Sequence, residues 1–205
     1  MMRSVLPLGF IAASRFFGLF IILPVLSLYA LELDGANEFL AGLTIGAYAI
    51  TQMIFQIPFG SLSDKFGRKF MMCVGLIIFI IGSFICAIAN DIYIMLLGRL
   101  LQGCGAVGAV ATAMISDLVS EDKRSKAMAM MGGMIGIAFA LSMVLSPLLS
   151  REFGLSSLFY LSIIITIFCI FLLFSAVPKE PKIHHHDPKV PLMQLLSQKD
   201  LAIMN

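Results

Sequence analysis

Charge is scarce in this chain. Asp, Glu, Lys and Arg make up 13% of its 205 residues and apolar types 60%, whereas soluble domains hold about 25% charged and about 45–50% apolar residues. Water is thereby excluded as the solvent for most of the folded surface. The net charge of +2 is too small to point to nucleic acid, and the basic residues fall in short clusters instead of one patch. Cysteine is limited to Cys73, Cys86, Cys104 and Cys169. All lie inside apolar stretches with no CxxC pair and no histidine-containing metal spacing, so they are expected to pack as small apolar side chains and to hold no metal. Histidine is confined to His184, His185 and His186, between Pro181 and Pro188. Three adjacent imidazoles without carboxylate or thiol ligands are expected to be solvated chain. No nucleophile, base and orienting residue occur together in a catalytic motif, so neither an enzyme nor a cofactor is implied.

Long apolar runs are what the chain has instead. A helix needs about 20 largely apolar residues to cross the hydrocarbon, and such runs occur at 5–30, 39–59, 70–89, 93–116, 127–149 and 155–176. The fold class that follows is an all-α membrane protein with six transmembrane helices, lodged in the lipid bilayer. Arg3 ahead of the first run could mark a signal peptide, but the run continues to Ala30 without a small-residue cleavage site and reads as the first span. Lys65, Arg68 and Lys69, then Lys123, Arg124 and Lys126, then Lys179, Lys182, Lys189 and Lys199 follow the even-numbered spans, and Arg3 precedes the first. The opposite loops carry Glu32, Asp34, Glu38, Asp91 and Glu152, with Arg151 their one basic residue. The positive-inside rule therefore puts both termini in the cytoplasm.

Spans three and six are apolar almost all round and are expected at the periphery, against lipid. Spans one, two and four carry groups that lipid penalises. Arg15 lies about ten residues into span one, near mid-depth, and Arg99 lies inside the outer end of span four. A guanidinium at such depth costs about 2.5–3.5 kcal/mol on insertion scales. Each arginine therefore either lines a wet cavity that meets substrate or carboxylates, or bonds helix carbonyls as interhelical glue. Tyr48, Gln52 and Gln56 recur every fourth residue and share one face of span two, and Gln102 stands one turn from Arg99. They are candidates to line a central cavity, although amides and hydroxyls also join membrane helices directly. Gly103-Cys104-Gly105-Ala106-Val107-Gly108 matches GxGxxG, but a dinucleotide site needs a strand before it and a soluble βαβ setting. Close helix packing is the expectation there. Gly132 and Gly136 form a GxxxG pair in span five, followed by Ala138, Ser142, Ser146 and Ser150 at four-residue spacing, a pattern that permits close helix approach.

The loop after span two reads Gly60-Ser61-Leu62-Ser63-Asp64-Lys65-Phe66-Gly67-Arg68-Lys69, which resembles the signature of the major facilitator superfamily at the same place between spans two and three. Gly60 and Gly67 permit tight backbone geometry, while Asp64 can pair with Arg68 and face the start of span three. The resemblance implies a conformational latch of Gly60, Asp64, Gly67, Arg68 and Lys69, with Asp117 at the end of span four as a further partner of Arg68. A loop that only sets topology is the bland alternative, above all for Lys65 and Lys69. Leu97-Gly98-Arg99-Leu100-Leu101-Gln102-Gly103-Cys104-Gly105 is similar to the span-four signature of drug:proton antiporters, which implies that Arg99 influences proton transfer. Ser14-Arg15, Leu23-Pro24-Val25-Leu26, Thr51-Gln52 and Phe55-Gln56-Ile57-Pro58-Phe59-Gly60 resemble the YajR type of inner-membrane efflux transporter. The span-five antiporter motif departs from the family pattern, because Ser146, Ser150 and Arg151 stand near Pro147 where glycines are expected.

Transporters of this superfamily have two six-span halves, each a 3+3 inverted repeat, with the site between them. The resemblance therefore implies that residues 1–177 form the N-terminal half of a twelve-helix fold, residues 178–200 a cytoplasmic linker and residues 201–205 the start of a seventh span. A truncated product, a split gene or a piece of a longer chain is expected. The function implied is proton-coupled efflux of a small amphipathic molecule by alternating access, with protons, that substrate and a second six-helix half as partners. No acidic residue lies deep in the six spans, so a proton-binding carboxylate would come from the second half. A membrane scaffold or assembly partner that moves no solute is the alternative.

Overall fold

A bilayer leaves no water for backbone amides, so a spanning chain must close its hydrogen bonds within each helix. The computed structural model describes residues 2–178, and the described residues follow that rule in eight α-helices. Span one is α1 (Met2–Phe20) followed by α2 (Leu23–Tyr29), with a 3-10 turn at Ala30–Glu32. The interruption falls just before Pro24, which has no N–H to continue the ladder. Span two is α3 (Glu38–Phe66), opened by Asn37, whose side chain accepts from the Leu40 N–H at 2.8 Å. Span three is α4 (Arg68–Ala87). Span four is split into α5 (Ile92–Cys104) and α6 (Val107–Leu118), and Asp91 caps α5 by accepting from the N–H groups of Tyr93 and Ile94. Spans five and six are α7 (Glu121–Phe153) and α8 (Leu155–Ser175).

The membrane-capable segments are Val5–Glu32, Glu38–Phe66, Arg68–Ala87, Ile92–Leu118, Glu121–Phe153 and Leu155–Ser175, six as the apolar runs require. Spans two and five run past their apolar stretches because Ser61 to Phe66 and Glu121 to Lys126 continue the helix. Single glycines reverse the chain at its two shortest loops. Gly67 (φ 98°) joins α3 to α4 and Gly154 (φ 76°) joins α7 to α8, both in the left-handed region where a Cβ is penalised. The linker expected beyond Pro178, the start of a seventh span and the three histidines lie outside the described residues.

Packing corrects one expectation. Half of span three is buried, as much as of span one, while span five is only 11% buried. An all-round apolar surface suits a helix-lined environment as well as lipid, and α4 packs closely on α5 and α8 because its glycines let backbones meet. A Cβ added at Gly82 would sit 2.6 Å from the Gln102 amide nitrogen, and one at Gly98 would meet Cys86 Sγ at 2.5 Å. Two apolar cores result. One gathers Val5, Leu8, Met72, Leu76, Val110 and Met114, and the other gathers Ile21, Leu26, Cys86, Met95, Leu158 and Phe159. Along every central helix the buried polar residues Arg15, Ser83, Arg99 and Gln102 fall between these two sets.

Gly82→Val should therefore wedge α4 from α5 and lower stability by about 1–3 kcal/mol, the usual cost of overpacking. Gly46→Ala, at a position with nothing within 4 Å, should be neutral or slightly stabilising. Thermal unfolding of the two variants in one detergent compares them directly.

Candidate functional site

The centre of the polar layer is the interruption of span four. Gly105 (φ −76°, ψ 64°) and Ala106 (φ −73°, ψ 62°) form two successive inverse γ-turns, in which the Ala106 N–H donates to the Cys104 carbonyl at 2.9 Å and the Val107 N–H to the Gly105 carbonyl at 2.8 Å. The Ala106 amide would serve the Gln102 carbonyl in a continuous helix. Arg15 takes its place. Its Nη2 donates to the Gln102 carbonyl at 2.7 Å and to the Gly105 carbonyl at 3.2 Å, and its Nη1 donates to the Tyr48 hydroxyl at 2.5 Å. The guanidinium lies 3.9 Å from the centre of the Phe79 ring, within cation–π range. Arg15 thus has the carbonyl-bonded geometry of interhelical glue, with its charge at the negative end of the α5 dipole.

Arg99 is fully buried. Its Nη1 donates to Gln102 Oε1 at 2.8 Å, Gln102 Nε2 donates to Ser83 Oγ at 2.7 Å, and Ser83 donates to the Phe79 carbonyl at 2.7 Å. Nε and Nη2 of Arg99 and Nε of Arg15 make no hydrogen bond. Tyr48 separates the cations, its ring centre 5.1 Å from the Arg15 guanidinium carbon and 5.0 Å from that of Arg99. Ser83 escapes a reading of the sequence, and the sole signal for it is a hydroxyl in an otherwise apolar stretch of span three.

Tyr48, Gln52 and Gln56 share one face as their spacing requires. With Leu19, Leu23, Ile45, Ala49 and Met53 they line an open groove of about 270 Å³. Arg15, Tyr48, Gln52, Gly105 and Gly108 meet at a much smaller hollow beside it. Arg99 and Gln102 do not reach this wall, because Tyr48 and the close crossing of α4 over α5 cover them. The span-four glycines are used unequally. A Cβ at Gly103 would strike Thr51 and Tyr48 of α3, and one at Gly105 would strike the Gly75 backbone of α4, but Gly108 has no neighbour within 4 Å.

The second cluster lies at the loop-bearing end. Arg68 is buried although charged, at 8% exposure. Its Nη2 pairs with Asp64 at 2.5 Å, its Nε with Asp117 at 3.0 Å, and its Nη1 donates to Ser63 Oγ at 2.5 Å. Nη1 also reaches the Gly60 carbonyl at 3.5 Å. The Gly67 turn thus lets one side chain tie the end of α3 to the end of α6. Lys69 donates to the Val177 carbonyl beyond α8. Ser63 is a partner that the motif alone does not reveal, and Lys65 is exposed.

On α7, Ser142, Ser146 and Ser150 are buried on the side that packs against neighbouring helices. Gly132 and Gly136 are exposed with nothing within 4 Å, and Pro147 is exposed too. The expectation that Gly108, Gly132 and Gly136 serve close packing is therefore not met among the described residues. Gly136 is two residues from Ala138 and so points to the other side of the helix.

Arg15→Met keeps the length of the side chain and removes its donors. It should release the Gln102 and Gly105 carbonyls and destabilise the fold by about 1.5–3 kcal/mol, the range for a hydrogen bond to a charged group. Faster amide exchange confined at first to residues 103–109 is the expected signature, and Arg15→Lys should restore part of the protection.

Comparison with known proteins agrees with this architecture. Residues 8–203 match the model of the Major Facilitator Superfamily. The inner membrane transport protein YajR of Escherichia coli (strain K12) is 45% identical over 176 residues, covering 86% of this chain and 39% of that protein. An uncharacterised transporter of Buchnera aphidicola subsp. Schizaphis graminum is 43% identical over 164 residues, covering 80% of this chain and 42% of the relative. The quinolone resistance protein NorA of Staphylococcus aureus is 32% identical over 128 residues, with 62% and 33% covered. The chain thus spans about two fifths of the length of its closely matching relatives. Among solved structures, the inward open xylose transporter XylE from E. coli superposes with a TM-score of 0.74 at 17% identity, over 98% of this chain and 52% of that one, a likeness of fold. With the signature at Gly60 to Lys69, six membrane-capable helices and a family match over nearly its whole length, this chain belongs to the major facilitator superfamily, among relatives of the YajR type.

Proposed function

We propose that this chain is the N-terminal half of an alternating-access efflux transporter of the bacterial inner membrane, with both termini in the cytoplasm. Support for the orientation comes from Lys65, Arg68, Lys69, Lys123, Arg124 and Lys126, which fall at the ends of spans on one side. The observation that carries the transport reading is the double pairing of Arg68 with Asp64 and Asp117. Those carboxylates are 42% and 26% exposed, so water competes for them and the cluster can be exchanged between two arrangements without an uncompensated buried charge. In one state Arg68 holds α3, α4 and α6 together, and in the other these ends separate as the two halves rock about the midplane.

Tyr48, Gln52 and Gln56 form this half's share of the substrate wall. Arg15 and Arg99 stand behind it, and Arg99 biases proton transfer through Gln102 and Tyr48. Among the described residues Asp and Glu occur only at or beyond the ends of the spans, so the proton-binding carboxylate belongs to a second six-helix unit. The inner-membrane relatives and a relative named for quinolone resistance favour an exported amphipath over an imported nutrient. A scaffold with the same six helices would have no use for a polar groove wall backed by two buried cations.

Reconstitution of the complete protein in proteoliposomes tests the reading. Efflux of a quinolone probe should require a proton gradient, and Arg68→Ala should slow it about tenfold, which corresponds to about 1.4 kcal/mol, while leaving the thermal midpoint within a few degrees. Flux that survives a protonophore would remove proton coupling and keep the transporter. A wild-type rate in Arg68→Ala would remove the latch, and no solute flux with any probe would favour the scaffold.

A further inference from the structure

Resting on that transport reading, we infer that the groove wall built by this half selects its ligand by charge, taking an anionic amphipath in preference to a cationic one. The groove combines an apolar floor from Leu19, Leu23, Ile45 and Met53 with a polar stripe from Tyr48, Gln52 and Gln56. That division matches a molecule with an apolar body and one polar end. The sign of the polar end follows from what lies behind the stripe.

Two guanidiniums flank the ring of Tyr48 at 5.1 and 5.0 Å from its centre. Neither has a carboxylate partner among the described residues. Arg15 bonds a hydroxyl and two backbone carbonyls, and Arg99 bonds the Gln102 amide oxygen. All these acceptors are neutral, so they solvate the two charges without cancelling them. The carboxylates of the described residues lie elsewhere. Glu32, Asp34, Glu38, Asp91 and Glu152 are at one end of the bundle, and Asp64, Asp117, Glu121 and Asp122 are at the other, where Asp64 and Asp117 are paired with Arg68. In a low-dielectric interior an uncancelled charge acts over distances that water would screen, so any ligand resting on Tyr48 sits in a positive field.

The hydrogen bonding permits an anion without deciding for it. Tyr48 is only 2% exposed and its oxygen accepts from Arg15, so it presents no free acceptor to a cation. Gln52 and Gln56 each carry an amide N–H donor and an acceptor oxygen along the same face, and Gln52 Oε1 has no partner, so the preference for one sign of charge comes from the two guanidiniums. A quaternary ammonium placed there would meet two like charges and no carboxylate among the described residues.

Tetraphenylborate and tetraphenylphosphonium share a shape and differ in the sign of their charge, so they isolate this effect. Equilibrium dialysis of the purified 205-residue chain in a non-ionic detergent, against empty-micelle controls, should give specific binding of the borate at least tenfold tighter. Gln52→Glu puts a carboxylate on the groove wall beside the hollow that Gln52 shares with Arg15 and Tyr48, offsetting the positive field, and it should reduce that ratio about tenfold or invert it. Equal or tighter binding of the phosphonium to the unaltered chain would overturn the charge assignment and leave the groove as a site. A borate preference unmoved by Gln52→Glu would place the binding elsewhere and overturn it as well. Specific binding of neither ion would remove the groove as a ligand site, and with it the substrate wall of the transport reading.

Discussion

A guanidinium near the middle of a bilayer has to be solvated by the protein, and much of this structure is arranged around doing so twice. Arg15 is solvated by backbone. Two carbonyls exposed by the break in span four and the Tyr48 hydroxyl accept its protons, and Phe79 lies across its face. Arg99 is solvated by the Gln102 side chain, which is itself held by Ser83. Gln102 therefore serves both cations at once, one through its carbonyl and one through its amide. The close crossing of α4 and α5 at Gly82 and Gly98 is what brings Ser83 within reach of Gln102. A larger residue at either glycine would strain the packing and also weaken the solvation of a charge.

The outline of the fold is legible in the sequence because length and apolarity alone decide whether a helix crosses a membrane. The six runs, the Asn37 and Asp91 caps and the turn at Gly67 follow from local chemistry. The pairing of Arg68 with Asp64 is local as well, since the Gly67 turn folds the start of α4 back onto the end of α3. Its pairing with Asp117 rests on a family likeness and has no local signal across 49 residues. The role of Arg15 is illegible for the same reason. Nothing near residue 15 announces a helix break some 90 residues later, and the glycines at 103, 105 and 108 do not say which of them interrupts the helix. Span three misleads because Leu, Ile and Phe look alike whether they meet lipid or other helices. Gly75 and Gly82 are the clue to burial, but glycines also occur where nothing approaches, as at Gly132.

Two spans carry both polar clusters. α3 bears Tyr48 and Gln52 at mid-depth and Ser63 and Asp64 at its end. Span four bears Arg99 and Gln102 before its break and Asp117 after it. The groove wall and the charged cluster are therefore joined by two rigid elements, and on the second of these the γ-turns lie between them. A displacement of Asp117 relative to Arg68 would be transmitted along α6 to the break, where the Gly105 carbonyl meets Arg15. A helix interruption with two defined arrangements would supply the bistable element that coupling requires.

The break also decides which residue can yield. In a continuous helix a movement of α6 would have to bend ladder hydrogen bonds along the whole span. Here the Ala106 and Val107 amides donate only two residues back, a weaker geometry than the α-helical bond, and the lost stabilisation is made up by a side chain from another helix. Such a joint is held by long-range contacts and not by its own turn chemistry. It follows that α1, through Arg15, sets how stiff span four is at its centre, although the two segments are far apart in sequence. A polar joint of this kind is stable only while lipid is kept away from its carbonyls, which is what the glycine contacts of α3 and α4 with span four accomplish.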